Sequence, residues 1–502
     1  MKTPAVKFAG QSLFLSLSGD AALVATGDGE LTIQTARGQT TLKRLLPGVR
    51  EALERLGAGG ANEEELEGVV LQRDGMDGLA HFYYQLQQLG RSSLLWRSAE
   101  DQRGCLATLT PTSPYFTYPG RRVNLAQCYA LSRFAFTRVD EGLTFLESPL
   151  AHARLVLHDW RASALLQALA LPVHVAEAAE SIPGLSVDAA AKVVTLLLNA
   201  AMLGEADDSG RPATDRAPAL QAWEFHDLLF HTRSRQGRHD LPMGGTCRFA
   251  GKLDCPSALK PVASCEFIAL NKPNLESLQR EDPPFAQVLE RRRSIRQYGE
   301  KPIAFNQLGE FLYRVARVKE FREMELMTPA GQMRLGTASR PYPAGGGLYE
   351  MEFYLAVNAC GGLTAGLYHY DPWHHQLGRL GGRTAEVEQL LRGASEATGI
   401  PTHNLQVLLI LTARFQRLAW KYAAIAYALI LKHVGVLHQT MYLTATAMNL
   451  APCAVGCGNA DLFARAAGAD YYGETSVGEF LLGSRRPAST ELKDTTETEG
   501  RL

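Results

Sequence analysis

Net charge is almost absent from this sequence: 51 lysine and arginine residues against 52 aspartate and glutamate leave a formal −1 over 502 residues. No large field therefore argues for nucleic acid or an anionic membrane as partner. A cysteine framework is lacking too. The eight cysteines, at 105, 128, 247, 255, 265, 360, 453 and 457, form no CxxC and have no partners at zinc-finger spacing, so they read as reduced thiols. Cys247, Cys255 and Cys265, near His226, His231 and His239, are too irregular a set to predict a metal, and none is expected. Lys432, His433, His438 and Gln439 interrupt the longest apolar stretch before it reaches the ~18 uncharged residues of a membrane span. Met1-Lys2-Thr3-Pro4 leads into no apolar core with a small-residue cleavage site, which predicts a cytoplasmic protein. A dinucleotide fingerprint is missing as well: Gly345 to Gly347 precede a strand, and Gly456 and Gly458 lack the third glycine.

What is present is organised around Trp420 to Ala451. Rich in Ala, Leu and Met and free of proline, this stretch predicts one helix of roughly 30 residues, about 45 Å long, apolar nearly all round and so buried in a domain or a dimer core. Lys421 and Tyr422 then fall in its first turn, where the positive end of the helix dipole lowers both side-chain pKa values. Apolar surroundings push the lysine the same way and the tyrosine up, so the direction is firm for the lysine alone. A neutral lysine amine can serve as a general base. The plainer alternative is a snorkelling lysine beside a core tyrosine.

The first half reads as a duplication. Strand-like runs, helical patterns at 47–56, 63–71 and 79–89, and a closing SLLW are followed by a second set in the same order, with Leu31-Thr32-Ile33 matching Leu143-Thr144-Phe145 and Leu89-Gly90 matching Leu203-Gly204. Each set predicts a winged-helix-like unit. The candidate third helices, GLAHFYYQLQQLG and DAAAKVVTLLLNAAMLG, hold one lysine and no arginine, which argues against DNA and for a peptide along a strand edge. Trp223 to Gly251 then mixes His226, His231, Arg233, Arg235, Arg238 and His239 with Phe225 and Phe230, and reads as a helix end and solvated linker.

In the second half, Arg291-Arg292-Arg293-Ser294-Ile295-Arg296 closes a short helix and suits a phosphate through guanidinium forks. RPYPAGGGLYEMEFYLAVN follows, its glycines letting backbone approach a flat ligand. LQVLLILTARF is apolar enough to be a central strand, and VGEFLLGSRRP a last strand ending in Arg485 and Arg486.

Together, RRSIRQY, RPYPAGGGLYEMEFY, Lys421-Tyr422 after Arg417, Leu450-Ala451-Pro452-Cys453 leading to Gly456, and the FHxxxFHxxSRxGRHD-like segment resemble the SagB-type azoline dehydrogenases of the flavin-dependent nitroreductase superfamily, which include the cyanobactin-pathway oxidases. The resemblance implies an α+β chain whose C-terminal nitroreductase-like FMN domain, a central sheet flanked by helices with a long central helix, follows two winged-helix-like peptide-binding repeats. It implies FMN as cofactor, with Arg292, Arg293, Ser294, Arg296 and Arg485 at the phosphate and ribityl chain. Pro343, Ala344, Gly345 and Gly346 would lie along the ring system, and Val455 and Gly456 near its reactive nitrogen. Lys421 and Tyr422 match the family's catalytic lysine–tyrosine pair. Ala344 departs from a usual serine, which removes a side-chain hydrogen bond. The implied substrate is a heterocyclised precursor peptide, the implied assembly a homodimer, and a cyclodehydratase of the same pathway a further partner.

The domains expected are 1–100 and 101–222 as the two repeats, 223–274 as a connecting segment, 275–487 as the FMN domain and 488–502 as a disordered tail. Two other readings stay open: an NAD(P)H-dependent nitro- or quinone reductase on the same fold, and a non-catalytic peptide-binding scaffold.

Overall fold

The computed structural model describes residues 12–27, 30–35, 38–207 and 210–487, and divides into two compact units after Leu241. The tail expected at 488–502 lies outside the described residues.

In the first unit the duplication is visible as repeated connectivity. Strand Phe14–Leu17 is flanked by Ala61–Asn62 and Leu95–Asp101, as Cys128–Leu131 is by Val173–His174 and Leu203–Glu205. Between first and second of these strands each repeat carries three further strands, Ala22–Gly27, Glu30–Thr35 and Gly38–Leu42 in one and Phe136–Asp140, Leu143–Glu147 and Ala153–Leu157 in the other. A helix follows each set, Pro47–Gly57 and Trp160–Ala168. The next two helical patterns of the first repeat form one element, Glu63–Arg91, broken at Gly75, whose φ of 69° no ordinary helical residue adopts. Their counterparts, Val175–Glu180 and Val187–Asn199, are separate; Ser186 caps the latter by accepting from the Ala189 N–H. Leu203 thus corresponds to Leu95 at the start of the closing strand, and the predicted match with Leu89-Gly90 is corrected by six residues.

The repeats share more than a linker. Leu95–Asp101 turns directly into Gly104–Pro111, which pairs with Ala153–Leu157, giving one seven-stranded antiparallel sheet across both. The division expected at 100/101 falls at the end of the first strand of that hairpin, just before its turn. Each repeat keeps its own apolar cluster, around Leu15, Leu53 and Phe82 in one and Leu155, Leu165 and Leu197 in the other.

The second unit is built on seven antiparallel strands in the order Phe267–Ala269, Gln376–Gly381, Gly366–Asp371, Met351–Val357, Val407–Arg414, Glu474–Ser484, Leu450–Val455. All eight residues of Val407–Arg414 are buried. Leu409 and Leu411 face one apolar cluster, Leu408 and Ile410 the other, as a strand with period two and two covered faces requires.

The long helix covers the first of these faces but is shorter than predicted. It runs Ala426–Ala447, about 33 Å. Before it, the Lys421 carbonyl accepts from the Cys247 N–H, Tyr422–Ala423 pairs with Gly244–Gly245, and Ala424 sits at φ 61°. These partners outbid helical propensity. At the far end Asn449, at φ 53°, turns the chain into the edge strand Leu450–Val455. Lys421 and Tyr422 therefore stand outside the helix, and the dipole argument for their pKa values falls. The helix is also not buried all round. Ile430, Val434, Leu437, Met441 and Ala445 face the sheet, while Tyr427 and Leu431, about one turn apart, are exposed, as is Val436 on another side of the helix.

Candidate functional site

The glycine turn 343–347 is held in a conformation that only its own residues allow. Gly346 and Gly347 have φ of 62° and 69°, and Tyr349 follows at 47°. Three buried contacts fix it. The Tyr349 hydroxyl donates to the Tyr342 carbonyl at 2.8 Å. The Gly345 N–H donates to His433 Nε2 at 2.9 Å, and His433 Nδ1 lies 2.6 Å from Glu350 Oε1. Because an amide can only donate, Nε2 must be the acceptor, so Nδ1 carries the proton and gives it to the carboxylate. Arg417, fully buried, donates to the carbonyls of Leu348, Gly336 and Pro256 at 2.5–2.6 Å; burial pushes its pKa down to about 10. Its role is to clamp backbone.

Lys421 and Tyr422 converge on this turn. A Cβ placed on Gly346 would lie 2.8 Å from Lys421 Nζ and 2.9 Å from the Tyr422 hydroxyl. The ammonium also stands 5.6 Å from the Tyr422 ring centroid. Tyr422 is raised above the ordinary phenol value, by burial first and then by the Cys247 thiol. An amine and a phenol thus stand over a backbone surface stripped of side chains.

A second cluster lies further along the helix. The Ser294 hydroxyl meets the Tyr442 hydroxyl at 2.6 Å, and the latter accepts from the Ala454 N–H at 2.8 Å. The Ile295 N–H donates to the Pro452 carbonyl, and the Gly299 N–H to that of Ser484. Arg292 lies 5.3 Å from the Tyr442 ring centroid, and Tyr298 bridges to Arg485, whose guanidinium reaches Asn449. Backbone pairing thus laces the arginine-rich loop to the last two strands, with Arg293 and Arg296 exposed on it.

Val455 and Gly456 belong to a third feature, a cavity of ≈490 Å³ lined also by Val434, His438 and Glu479. A Cβ on Gly456 would meet nothing within 4 Å. Burial pushes His438 down to about 4 and raises Glu479, which makes the cavity's ionisable groups favour their neutral forms.

The helix relates the three. His433, His438 and Tyr442 are contact residues of the turn, the cavity and the arginine loop in that order. Nine residues separate His433 from Tyr442, two and a half turns, which puts the turn and the loop on opposite sides of the helix and ~13 Å apart along it. Lys421 and Tyr422 are brought to Gly345 and Gly346; Arg292, Ser294 and Arg485 are gathered elsewhere. Sequence reasoning missed His433, Glu350 and Tyr442. His433 and Tyr442 look like ordinary core positions of the helix and Glu350 like the lead-in to a strand, and only the contacts reveal that they hold the two loops.

Three family comparisons cover most of the chain in order: residues 10–118 match the ThcOx helix turn helix domain, 129–240 the cyanobactin oxidase ThcOx, and 289–483 the nitroreductase family. The chain matches the ThcOx-like oxidases of the nitroreductase superfamily. It is an oxidoreductase by that match, in a superfamily that typically binds flavin. A Methanocaldococcus jannaschii protein named as a nitroreductase is 26% identical over 192 residues, 38% of this chain and 85% of its own length. Among solved structures, a nitroreductase-type protein of Ralstonia eutropha is 20% identical, covering 49% of this chain and 100% of its own, with a TM-score of 0.33. A chain of the E. coli microcin synthetase McbBCD complex with truncated pro-MccB17 bound is 17% identical (52% and 92% covered, TM-score 0.33). A nitroreductase-type protein of Desulfovibrio desulfuricans in complex with FMN is 16% identical (42% and 95%, TM-score 0.25). Among the described residues of this ThcOx-like chain, no helix is long and apolar enough to cross a membrane.

Proposed function

We propose that this ThcOx-like chain is an FMN-dependent oxidase that converts thiazolines and oxazolines of a modified precursor peptide into thiazoles and oxazoles. The observation that carries the proposal is the convergence of Lys421 Nζ and the Tyr422 hydroxyl over the Cβ-free Gly346. Forming an azole from an azoline removes a proton from the ring carbon next to the carbonyl and a hydride from its neighbour. When bound, FMN supplies the two-electron acceptor for the hydride, and oxygen restores it.

The residues fit such a group. A flat ring needs a surface without side chains, which Gly345 and Gly346 offer, held by the His433 contact. A phosphate needs convergent cations and a hydroxyl, which Arg292, Arg293, Ser294 and Arg296 offer on the loop tied down by Tyr442, and Arg485 at the end of the last strand bridged to it. Gly456 leaves its cavity open to an approaching ring edge. The protein's own chemical task is to take the proton, and Lys421 or Tyr422 does so as general base.

The two sets of ligands stand on opposite sides of one helix that leaves the apolar Tyr427, Leu431 and Val436 exposed. This supports a homodimer in which the glycine turn of one copy faces the arginine loop of the other. A heterocyclised precursor peptide is the substrate, and a cyclodehydratase of the same pathway a candidate partner.

Replacing Lys421 by Ala tests the assignment: turnover should disappear while the yellow cofactor stays bound. A Lys421→Ala protein that oxidises an azoline peptide at the native rate refutes it. A protein whose flavin bleaches only with NAD(P)H and which leaves azolines unchanged is instead a nitro- or quinone reductase.

A further inference from the structure

The first unit contains a cavity that the redox chemistry does not use. Of ≈750 Å³, it lies between the two arms of the broken helix Glu63–Arg91, strand Leu95–Asp101 and the segment Phe116–Arg122. Its floor holds an arginine. Arg97 is 5% exposed, its Nε and Nη1 have no hydrogen-bond partner, and it makes no ion pair among the described residues. Its guanidinium is stacked 4.0 Å from the ring centroid of Tyr118. A buried guanidinium keeps its charge and pays heavily for unmade donors, so packing alone would be better served by leucine or methionine.

The cavity is also lined by Glu63, Glu64 and Glu67, the last accepting from the Tyr83 hydroxyl, and by Arg121 and Arg122. Burial raises Glu63 even though Arg97 works the other way. Tyr83 and Tyr84 stand at the cavity, 41% and 56% exposed.

We propose that this cavity is a receptor for a carboxylate carried by a peptide, with Arg97 as the fork that binds it and Tyr118 as the plate that orients the fork. A guanidinium with free Nε and Nη donors matches a carboxylate in bidentate geometry. The glutamates can accept the amides or cations of a peptide next to its carboxylate. The exposed tyrosines are of the type that recognition surfaces favour. The volume is in the range of small-ligand sites, enough for a few residues of chain. The site is a pocket rather than a strand edge, and it does not depend on the azoline reading.

The test is fluorescence anisotropy on the full chain with three fluorescein-labelled Ser-Gly hexapeptides: one with a free C-terminal carboxylate, one amidated, and one amidated with a central glutamate. At least one carboxylate peptide should bind ten-fold or more tightly than the neutral one, and which of the two does so identifies the source of the group. Arg97→Met should lower that affinity at least ten-fold. Gly90→Leu should do the same by filling the cavity, since a Cβ there meets nothing within 4 Å, and it covers the case in which Arg97→Met fails to fold. Equal affinity for all three peptides, no binding of any, or binding that survives a folded variant of either kind overturns the proposal. So does displacement of the peptide by inorganic phosphate at lower concentration than by acetate.

Discussion

Adding one methyl group at Gly346 separates the strain of the turn from the chemistry above it. The new Cβ would lie 2.8 Å from Lys421 Nζ, about 0.7 Å inside a ~3.5 Å contact, and 2.9 Å from the Tyr422 hydroxyl. Holding alanine at φ 62° costs on the order of 1–2 kcal/mol, which for a unit of this size lowers Tm by about 2–8 °C. The lysine can swing away at little further cost, but it then leaves its position over the turn. A displacement approaching 1 Å in a catalytic group costs roughly 10²-fold, so kcat should fall about 10- to 100-fold. Gly347→Ala is the control. Its φ of 69° imposes the same strain, but its nearest neighbour is the Thr337 Cβ at 3.3 Å rather than either polar group. Calorimetry and single-turnover oxidation of an azoline peptide would be run on both variants. Equal losses of Tm with a rate loss confined to Gly346→Ala is the expected pattern. If Gly346→Ala turns over at the rate of Gly347→Ala, the convergence on Gly346 has no catalytic meaning.

Other consequences follow from the same contacts. His433→Phe removes the acceptor of the Gly345 N–H and strands the Glu350 carboxylate in the core, costing about 3 kcal/mol or more in urea unfolding; His433→Phe with Glu350→Leu should recover part of it, and equal stability of the two would contradict the relay. His438 titrates near 6.5 when unfolded and at about 4 when folded, so the unfolded chain takes up the proton first and stability declines as pH falls from about 6.5 to 4. His438→Leu should flatten that part of the stability profile, a difference of up to ~3 kcal/mol. Tyr442→Phe frees Ser294 and the Ala454 N–H and should weaken FMN retention about ten-fold, read as flavin fluorescence released on dilution. Retention unchanged in that variant would detach the serine from the cofactor.

The elements that were legible in the sequence are those whose pattern and environment agree. Val407–Arg414 reads as a central strand because both its faces are apolar, and the repeats read as repeats because helix and strand periods recur in order. The overextended helix failed at its N-terminal end for a long-range reason. Trp420 to Ile425 has helical composition, but its backbone groups are taken by Cys247 and by Gly244–Gly245, some 175 residues earlier in the chain, and no local pattern encodes that. The joining of the repeats into one sheet is likewise a long-range pairing, of Gly104–Pro111 with Ala153–Leu157. The family motifs led to Lys421, Tyr422 and the arginine loop. They did not lead to His433 or Tyr442, which touch those loops from a helix where a histidine or tyrosine looks like any core residue, nor to Glu350, which precedes strand Met351–Val357 and acts through His433.

The measurement that bears most directly on the whole account is mass spectrometry of an azoline-containing peptide incubated in air with the purified protein and no pyridine nucleotide. The account predicts the loss of two hydrogens per ring, abolished by Lys421→Ala. An unchanged peptide, with substrate reduction appearing only when NAD(P)H is added, would contradict it.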